Sequence, residues 1–304
     1  MDQLKSMEVF VSVAELGSFS AAAKKLNIPL PSVSRKVADL EQHLGAQLLV
    51  RSTRKISLTS SGLRFLESSK QILDDLKEAE RQASNEYLHP RGRLTISAPS
   101  FFGQIHILPI VRTFLEEYPD VSIKLQLSDK IVHLLDDHID LGLRIGRLSD
   151  SSMIAKPLGH VRYLLCASPE YLEKHGIPET PDDLMMHQCI QFTRHEEALN
   201  QWPFSVSGEV IDYPINSPLT INSTAGALDT AINHFGISRI LSYQAAQAIA
   251  EGKLRIVLDE YSIQRNPVSF IYPQGRHIPL KLRAFIDYAT PILKQRLKQI
   301  EKTC

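Results

Sequence analysis

The periodicity of the apolar residues changes once along the chain, at His89-Pro90-Arg91-Gly92-Arg93. Upstream, apolar residues recur every three to four positions; downstream, strand-like alternation takes turns with helix-like runs. One layered fold does not accommodate both regimes. The Pro and Gly mark the stretch itself as a linker. With 304 residues, 43% of them hydrophobic, the chain holds enough apolar material for about two packed domains. A helical head followed by an α/β body is therefore expected.

In the head, Leu4, Met7, Val9, Phe10, Val13, Ala14 and Leu16 keep helical spacing up to Gly17, a residue suited to a left-handed stop. Ser18 can cap a short helix through Phe19, Ala22, Ala23 and Leu26, and Asn27-Ile28-Pro29 breaks it. Val33, Val37, Leu40 and Leu44 then share one face of a third helix that stops at Gly45. Two short helices joined by a tight turn, with another packed on them, make a helix-turn-helix candidate. Leu48-Leu49-Val50 and Ile56-Ser57-Leu58 flank Arg51-Ser52-Thr53-Arg54-Lys55, which predicts a small hairpin with a basic tip. Thr59 then caps a helix predicted to reach about Leu88, roughly 40 Å at the usual helical rise. Leu66, Leu73, Leu76, Ala83 and Tyr87 fit a heptad stripe on it, with Ser69 and Glu80 interrupting the register. The stripe suits pairing with a second copy; a solvated spacer is the alternative.

In the body, Leu94 to Ala98, Val121 to Leu127 and Ile139 to Ile145 read as strands, residues 103–118 and Ile131 to Leu135 as helices. A second series starts at Tyr163-Leu164-Leu165-Cys166-Ala167 and continues past Leu219-Thr220-Ile221-Asn222. Such alternation predicts α/β layers around a largely parallel sheet. No internal repeat is evident.

Charge separates the two parts as sharply as periodicity does. The chain totals 34 basic against 34 acidic residues, which alone argues against a polyanionic partner. Yet Lys24 to Arg64 holds eight basic and two acidic residues, a local net charge of +6, while residues 94–304 hold 20 and 23, a net of −3. A basic head on a mildly acidic body points to a nucleic-acid or membrane surface. Asp2, Lys5, Glu8 and Glu15 leave no room for a signal-peptide core, and Cys166, Cys189 and Cys304 lack any Cys-x-x-Cys spacing, so a cytoplasmic chain without a membrane partner is expected.

Gly17-Ser18-Phe19-Ser20-Ala21-Ala22-Ala23-Lys24-Lys25-Leu26, followed by Val33-Ser34-Arg35, Leu40-Glu41, Leu44-Gly45, Leu48-Leu49, Arg51, Leu58-Thr59 and Gly62, closely resembles the winged helix-turn-helix of LysR-type transcriptional regulators. The likeness continues through Pro90-Arg91-Gly92-Arg93-Leu94, Tyr118-Pro119, Asp140 to Gly146 and Leu165 to Pro169, and more loosely to about Phe285. It implies an all-α winged helix-turn-helix head (1–59), a long linker and dimerisation helix (60–89), and an α/β effector domain (90–304) of two subdomains resembling periplasmic solute-binding proteins. Subdomain I would take 94–165 and 268–304, and subdomain II 166–267. It also implies a homodimer, assembling further to a homotetramer, on a double-stranded DNA operator, with a small-molecule effector and no cofactor. Leu30, Pro31, Ser32, Ser34 and Arg35 would face the major groove, and Arg51, Arg54 and Lys55 the phosphates or minor groove. Arg35 suits either a guanine or a phosphate. Where the family usually places a Ser cap and a Gln reader, this chain has Pro29 and Leu30, which removes the cap oxygen and leaves apolar contact, for example to a thymine methyl.

Ligands of open α/β sheets sit at the carboxyl ends of strands. That rule selects Ser100, Phe101, Ser128 and Arg144 in the first subdomain and Thr193 and Asn222 in the second, with an anion favoured at the helix start near Gly103. Rival readings rest on thinner patterns. His133, Asp136, Asp137, His138 and Asp140 cluster, but the two histidines are five apart and no metal site is expected. No nucleophile elbow, phosphate loop or dinucleotide fingerprint occurs, so no enzyme is expected. Cys166 and Cys189 as a thiol-redox pair, and a stand-alone ligand-binding protein without DNA binding, remain as alternatives. Trp202 and the Phe101-Phe102 pair read as core.

Overall fold

The computed structural model describes residues 2–51, 56–83, 89–130, 134–146, 153–193, 200–263, 265–274 and 278–304. Residues 1–89 and 90–304 form two compact units, divided within the linker stretch read from the sequence. No helix among the described residues is long and apolar enough to cross a membrane.

The head comprises α1 (Gln3–Leu16), α2 (Phe19–Leu26), α3 (Leu30–Leu44), a hairpin of β1 (Leu49–Arg51) and β2 (Ile56–Leu58), and α4 (Ser60–Ala83). It is thus helical with a two-stranded wing rather than all-α. Local chemistry sets the helix ends. Gly17 and Gly45 take the left-handed conformation that stops α1 and α3, and Ser18 Oγ accepts the Ala21 N–H at the start of α2. Pro29 gives α3 no side-chain cap. Phe10, Val33, Val37, Leu40 and Leu48 close the core.

Two polar side chains fasten the wing. Glu41 Oε1 accepts the N–H groups of Leu48 and Leu49 at 2.8 and 3.0 Å, so this acid anchors backbone instead of facing solvent as a free charge. Thr59 Oγ1 donates to Gln47 O at 2.7 Å and accepts from the Gly62 N–H at 2.8 Å, capping α4 as expected. The stripe expected to pair two copies is partly used inside one chain: Leu66 packs on the head core, and Leu73 is buried. Leu76 is half-buried and Ala83 is the last residue of α4, while Leu63 and Ile72 are exposed. Tyr87 and the expected helix end near Leu88 lie outside the described residues.

The body opens with β3 (Gly92–Ala98), then a continuous helical segment: α5 (Ser100–Phe102), a π-turn (Gly103–Ile107) and α6 (Leu108–Glu117). β4 (Val121–Leu127), β5 (Leu141–Ile145) and β6 (Met153–Val161) follow. Of the helix expected at 131–135, residues 131–133 lie outside the described residues and 134–138 form turns. The chain then enters the second subdomain with β7 (Tyr163–Ala167), α7 (Pro169–His175), β8 (Cys189–Phe192), the hairpin β9 (Gln201–Val206) and β10 (Glu209–Pro214), β11 (Leu219–Ile221), α8 (Thr224–Ile232), β12 (Ile237–Leu241), α9 (Ser242–Ala250) and β13 (Arg255–Val257). It returns through β14 (Asn266–Pro273) to α10 (Leu280–Thr303).

The sheet orders are β4-β3-β5-β14-β6 and β11-β8-β12-β7-β13. In each, two parallel pairings are followed by two antiparallel ones, so the sheets are mixed, not largely parallel. The strand that carries the chain across, β14 in one sheet and β7 in the other, runs against the local βαβ strands. The two subdomains therefore share a topology that the sequence does not display as a repeat. Tyr163 already belongs to the second sheet, so the division falls at Arg162, a few residues before the expected 165/166. Phe102, Phe114, Phe270 and Phe285 fill the first subdomain's core, to which α10 contributes.

Candidate functional site

On the head, the first turn of α3 presents Leu30, Pro31 and Arg35 to solvent, with Ser32 and Ser34 half-buried beside them, opposite the buried Val33, Val37 and Leu40. The Ser32 and Val33 N–H groups bond to Pro29 O, and Pro31 has no N–H to offer. Arg51 ends β1; Arg54 and Lys55 lie outside the described residues.

On the body, a pocket of about 100 Å³ lies where the subdomains meet. Ser97, Ser128, Asp129, Lys130 and Arg144 line it from the strand ends of the first subdomain, and Tyr163, Leu241 and Tyr243 from the second. Of the residues that the strand-end rule selects, Ser128 and Arg144 line this pocket. Ser100 sits at the edge, where its N–H donates to Asp129 Oδ1 at 3.2 Å. The anion expected at this helix start is therefore the protein's own carboxylate, placed where the helix dipole favours it. Phe101 packs against the first core, its ring 6.3 Å from that of Tyr243. Thr193 and Asn222 are not among the lining residues. They follow β8 and β11, on the side of β12 away from β7, whereas the pocket abuts the β7–β12 pair. The sequence reading does not single out Ser97, Asp129, Lys130, Tyr163, Tyr243 or Asn266, which also line the pocket. The same rule applied to the end of β12 finds Tyr243.

Tyr163 is stacked under the Arg239 guanidinium, 4.0 Å from ring centroid to Cζ, which stiffens that wall. Behind Tyr243 lies His106, in the π-turn, with Phe102 at 4.6 Å. Its Nε2 is buried with no hydrogen-bond partner among the described residues. Burial, with the Arg296 charge nearby, pulls this imidazole from 6.5 down to about 4. The folded state then binds fewer protons than the unfolded chain between those values. Stability is intact above pH 6.5 and falls as pH drops toward 4, by roughly 2 kcal/mol at pH 5. His106→Phe is expected to remove that increment, measured as the difference between variant and parent in urea unfolding at pH 7.5 and 5. An identical pH dependence in both would refute it.

The thiol-redox alternative fails on geometry. Cys166 pairs with Ser238 and Cys189 with Ile237, adjacent residues of β12, so the thiols occupy opposite faces of the sheet with a strand between them. That separation, roughly 9–10 Å between alternate strands, exceeds what a disulfide spans. Desolvation also raises the Cys166 thiol and pushes Cys189 up to about 12. Asp140 of the acidic cluster accepts the Thr95 N–H at 2.7 Å, a structural task; His133 lies outside the described residues. Ser168, His234 and Glu170 line up at 2.8 and 3.3 Å like a hydrolytic triad, but Ser168 is fully buried and its Oγ caps α7. Trp202 is core, its indole N–H bonded to Gln191 Oε1.

Comparison with known proteins agrees with both units. Residues 4–63 match the family described as bacterial regulatory helix-turn-helix protein, lysR family, and residues 88–293 the LysR substrate binding domain. An uncharacterized HTH-type transcriptional regulator of Haemophilus influenzae is 36% identical over 93% of this chain and 98% of its own length. The solved structure of CrgA, a LysR-type regulator from Neisseria meningitidis, is 33% identical with a TM-score of 0.62, covering 95% of this chain and 98% of that one. The full-length Vibrio cholerae virulence activator AphB is 30% identical with a TM-score of 0.60, covering 94% and 98%. The reading as a binding protein without a DNA-binding head is thereby overturned. The chain belongs to the LysR family of helix-turn-helix transcriptional regulators.

Proposed function

We propose that the body responds to a small carboxylate held in the pocket between its subdomains. The observation that carries this reading is the convergence of Arg144, Lys130, Ser128 and Ser97 on a space walled by two tyrosines. Two bases, Lys130 and Arg144, stand against one acid, Asp129, in the lining, and Asp129 accepts the Ser100 N–H at the helix start. An arginine fork suits a carboxylate, and a volume of about 100 Å³ suits a molecule of few heavy atoms. Calorimetry with acetate, pyruvate, succinate and benzoate, and with phenol as a neutral aromatic, tests this. At least one carboxylate is expected to bind, and Arg144→Ala to weaken it roughly tenfold, the worth of one charge-assisted hydrogen bond. Binding of the neutral aromatic alone would overturn the reading.

For the head, Leu30, Pro31, Ser32, Ser34 and Arg35 form the surface that enters the major groove, with Arg51, Arg54 and Lys55 on the backbone or in the minor groove. Leu30, 44% exposed, suits a thymine methyl. A homodimer pairs through α4, where exposed Leu63 and Ile72 add to Leu76, and two such dimers make the tetramer. Paired heads require an interrupted palindromic operator.

A further inference from the structure

At the two crossings between the subdomains, and at the first residues of α9 beside them, successive residues line different cavities. Tyr163, Tyr243 and Asn266 face the small pocket; Arg162, Ser242 and Arg265, each one position earlier, line a second cavity of about 760 Å³. At 162–163 and 265–266 the extended backbone turns neighbouring side chains to opposite sides, and at 242–243 the first turn of α9 sets them about 100° apart. The residues of the larger cavity form a connected network. The Arg162 N–H donates to Ser242 Oγ at 3.3 Å, and the Ser242 N–H donates to Arg162 O at 2.8 Å. Arg162 Nη1 and Nη2 donate to the two carboxylate oxygens of Asp259, and Nε donates to the backbone oxygen of Cys304 at 3.1 Å. The Arg162 side chain is 22% exposed and that of Asp259 54%, so the pair is shielded on the arginine side only, and its definition comes from the bidentate fork. Leu258, next to Asp259, takes φ 53°, a left-handed conformation costly for a branched residue. Backbone strain is thus accepted at the point that aims the carboxylate.

We propose that Arg162 is a positioning residue for the effector response: with Asp259 it forms a clamp behind the crossing that fixes the angle between the subdomains. This rests on the small pocket being the effector site. Closure around a ligand acts on Tyr163 and Tyr243; Tyr163 follows Arg162 directly, and Tyr243 follows Ser242, which is hydrogen-bonded to the Arg162 backbone. A ligand shifts such an equilibrium only by the difference in its affinity for the two shapes. The clamp sets the resting shape against which that difference acts.

Amide hydrogen exchange on the full chain tests the clamp. Asp259→Asn keeps the volume and removes the charge; Asp259→Glu keeps the charge. Exchange in segments 160–164, 240–244 and 265–267 is expected to accelerate roughly tenfold in D259N and to return close to the parental rate in D259E, with the amides of Ile96, Leu143 and Ile190 unchanged. No acceleration at the crossings would overturn the clamp. Uniform acceleration across β7 to β13 would also overturn it, by reducing the pair to a brace of one subdomain. Arg144→Ala, read by calorimetry alone, separates the two readings. Undiminished carboxylate binding in R144A would remove the effector reading and leave the clamp standing.

Discussion

Gly62→Ala is expected to destabilise the head strongly while the body keeps its stability. A Cβ at this position would lie 2.0 Å from Leu48 O and 2.8 Å from Leu48 C, both backbone atoms. Leu48 cannot retreat easily. Its N–H is held by Glu41, its carbonyl accepts the Thr59 N–H at 3.0 Å, and its side chain is 1% exposed. Relief therefore requires moving the wing off α4 and breaking the Thr59 cap. Overpacking and a lost cap together cost about 3–4 kcal/mol, against a helix-propensity gain of at most about 1 from Gly to Ala. For a head of this size that loss should lower its melting temperature by more than about 10 °C. Circular dichroism follows the helical head, and Trp202, the single tryptophan, reports the body's second subdomain. A head transition within a few degrees of the parent would show that the wing has slack these contacts do not reveal.

The same residues show how far the sequence could be read. Helix ends were legible because a cap is a local event: Gly17, Ser18, Gly45 and Thr59 each act within a few positions of themselves. The close approach at Gly62 was visible only as part of a motif, since its cause is a carbonyl 14 residues earlier in the chain. β6 escaped notice because Pro157 and Gly159 interrupt its alternation. Both are tolerated because β6 is an edge strand, and Gly159 lies against Leu297, which would meet a Cβ at 3.1 Å. In the pocket, Ser128 and Arg144 follow directly from where β4 and β5 run out. Tyr163, Tyr243 and Asn266 depend on the chain crossing twice between sheets. That arrangement is set by pairings such as Leu241 with Tyr163, 78 residues apart, which no local pattern records. Thr193 and Asn222 satisfied the strand-end rule and still missed the pocket, because the rule needs the strand order as well as the strand ends.

Arg35→Ala is expected to abolish specific operator binding at physiological salt. Arg35 is exposed on the face of α3 opposite the buried Val33, Val37 and Leu40, one turn beyond Leu30 and Pro31. That first turn is poor in polar readers: Leu30 and Pro31 offer no side-chain donor, so the long guanidinium carries much of the polar contact available there. A bidentate contact to guanine is worth about 1–3 kcal/mol. A dimer loses it twice, and at the upper end the combined loss consumes most of the margin, about 4–10 kcal/mol, between specific and non-specific binding. A phosphate contact behaves differently, weakening all sequences alike and reducing the salt slope by about one charge per head. Gel-shift titrations at several salt concentrations, against an operator recovered by sequencing DNA bound in the native cell and against unrelated DNA, separate the outcomes. A base reader loses specific affinity with the non-specific curve nearly unmoved; a phosphate contact lowers both curves together. If both curves coincide with the parent at every salt concentration, α3 does not present Arg35 to the groove, and the groove-facing surface must be sought elsewhere on the head.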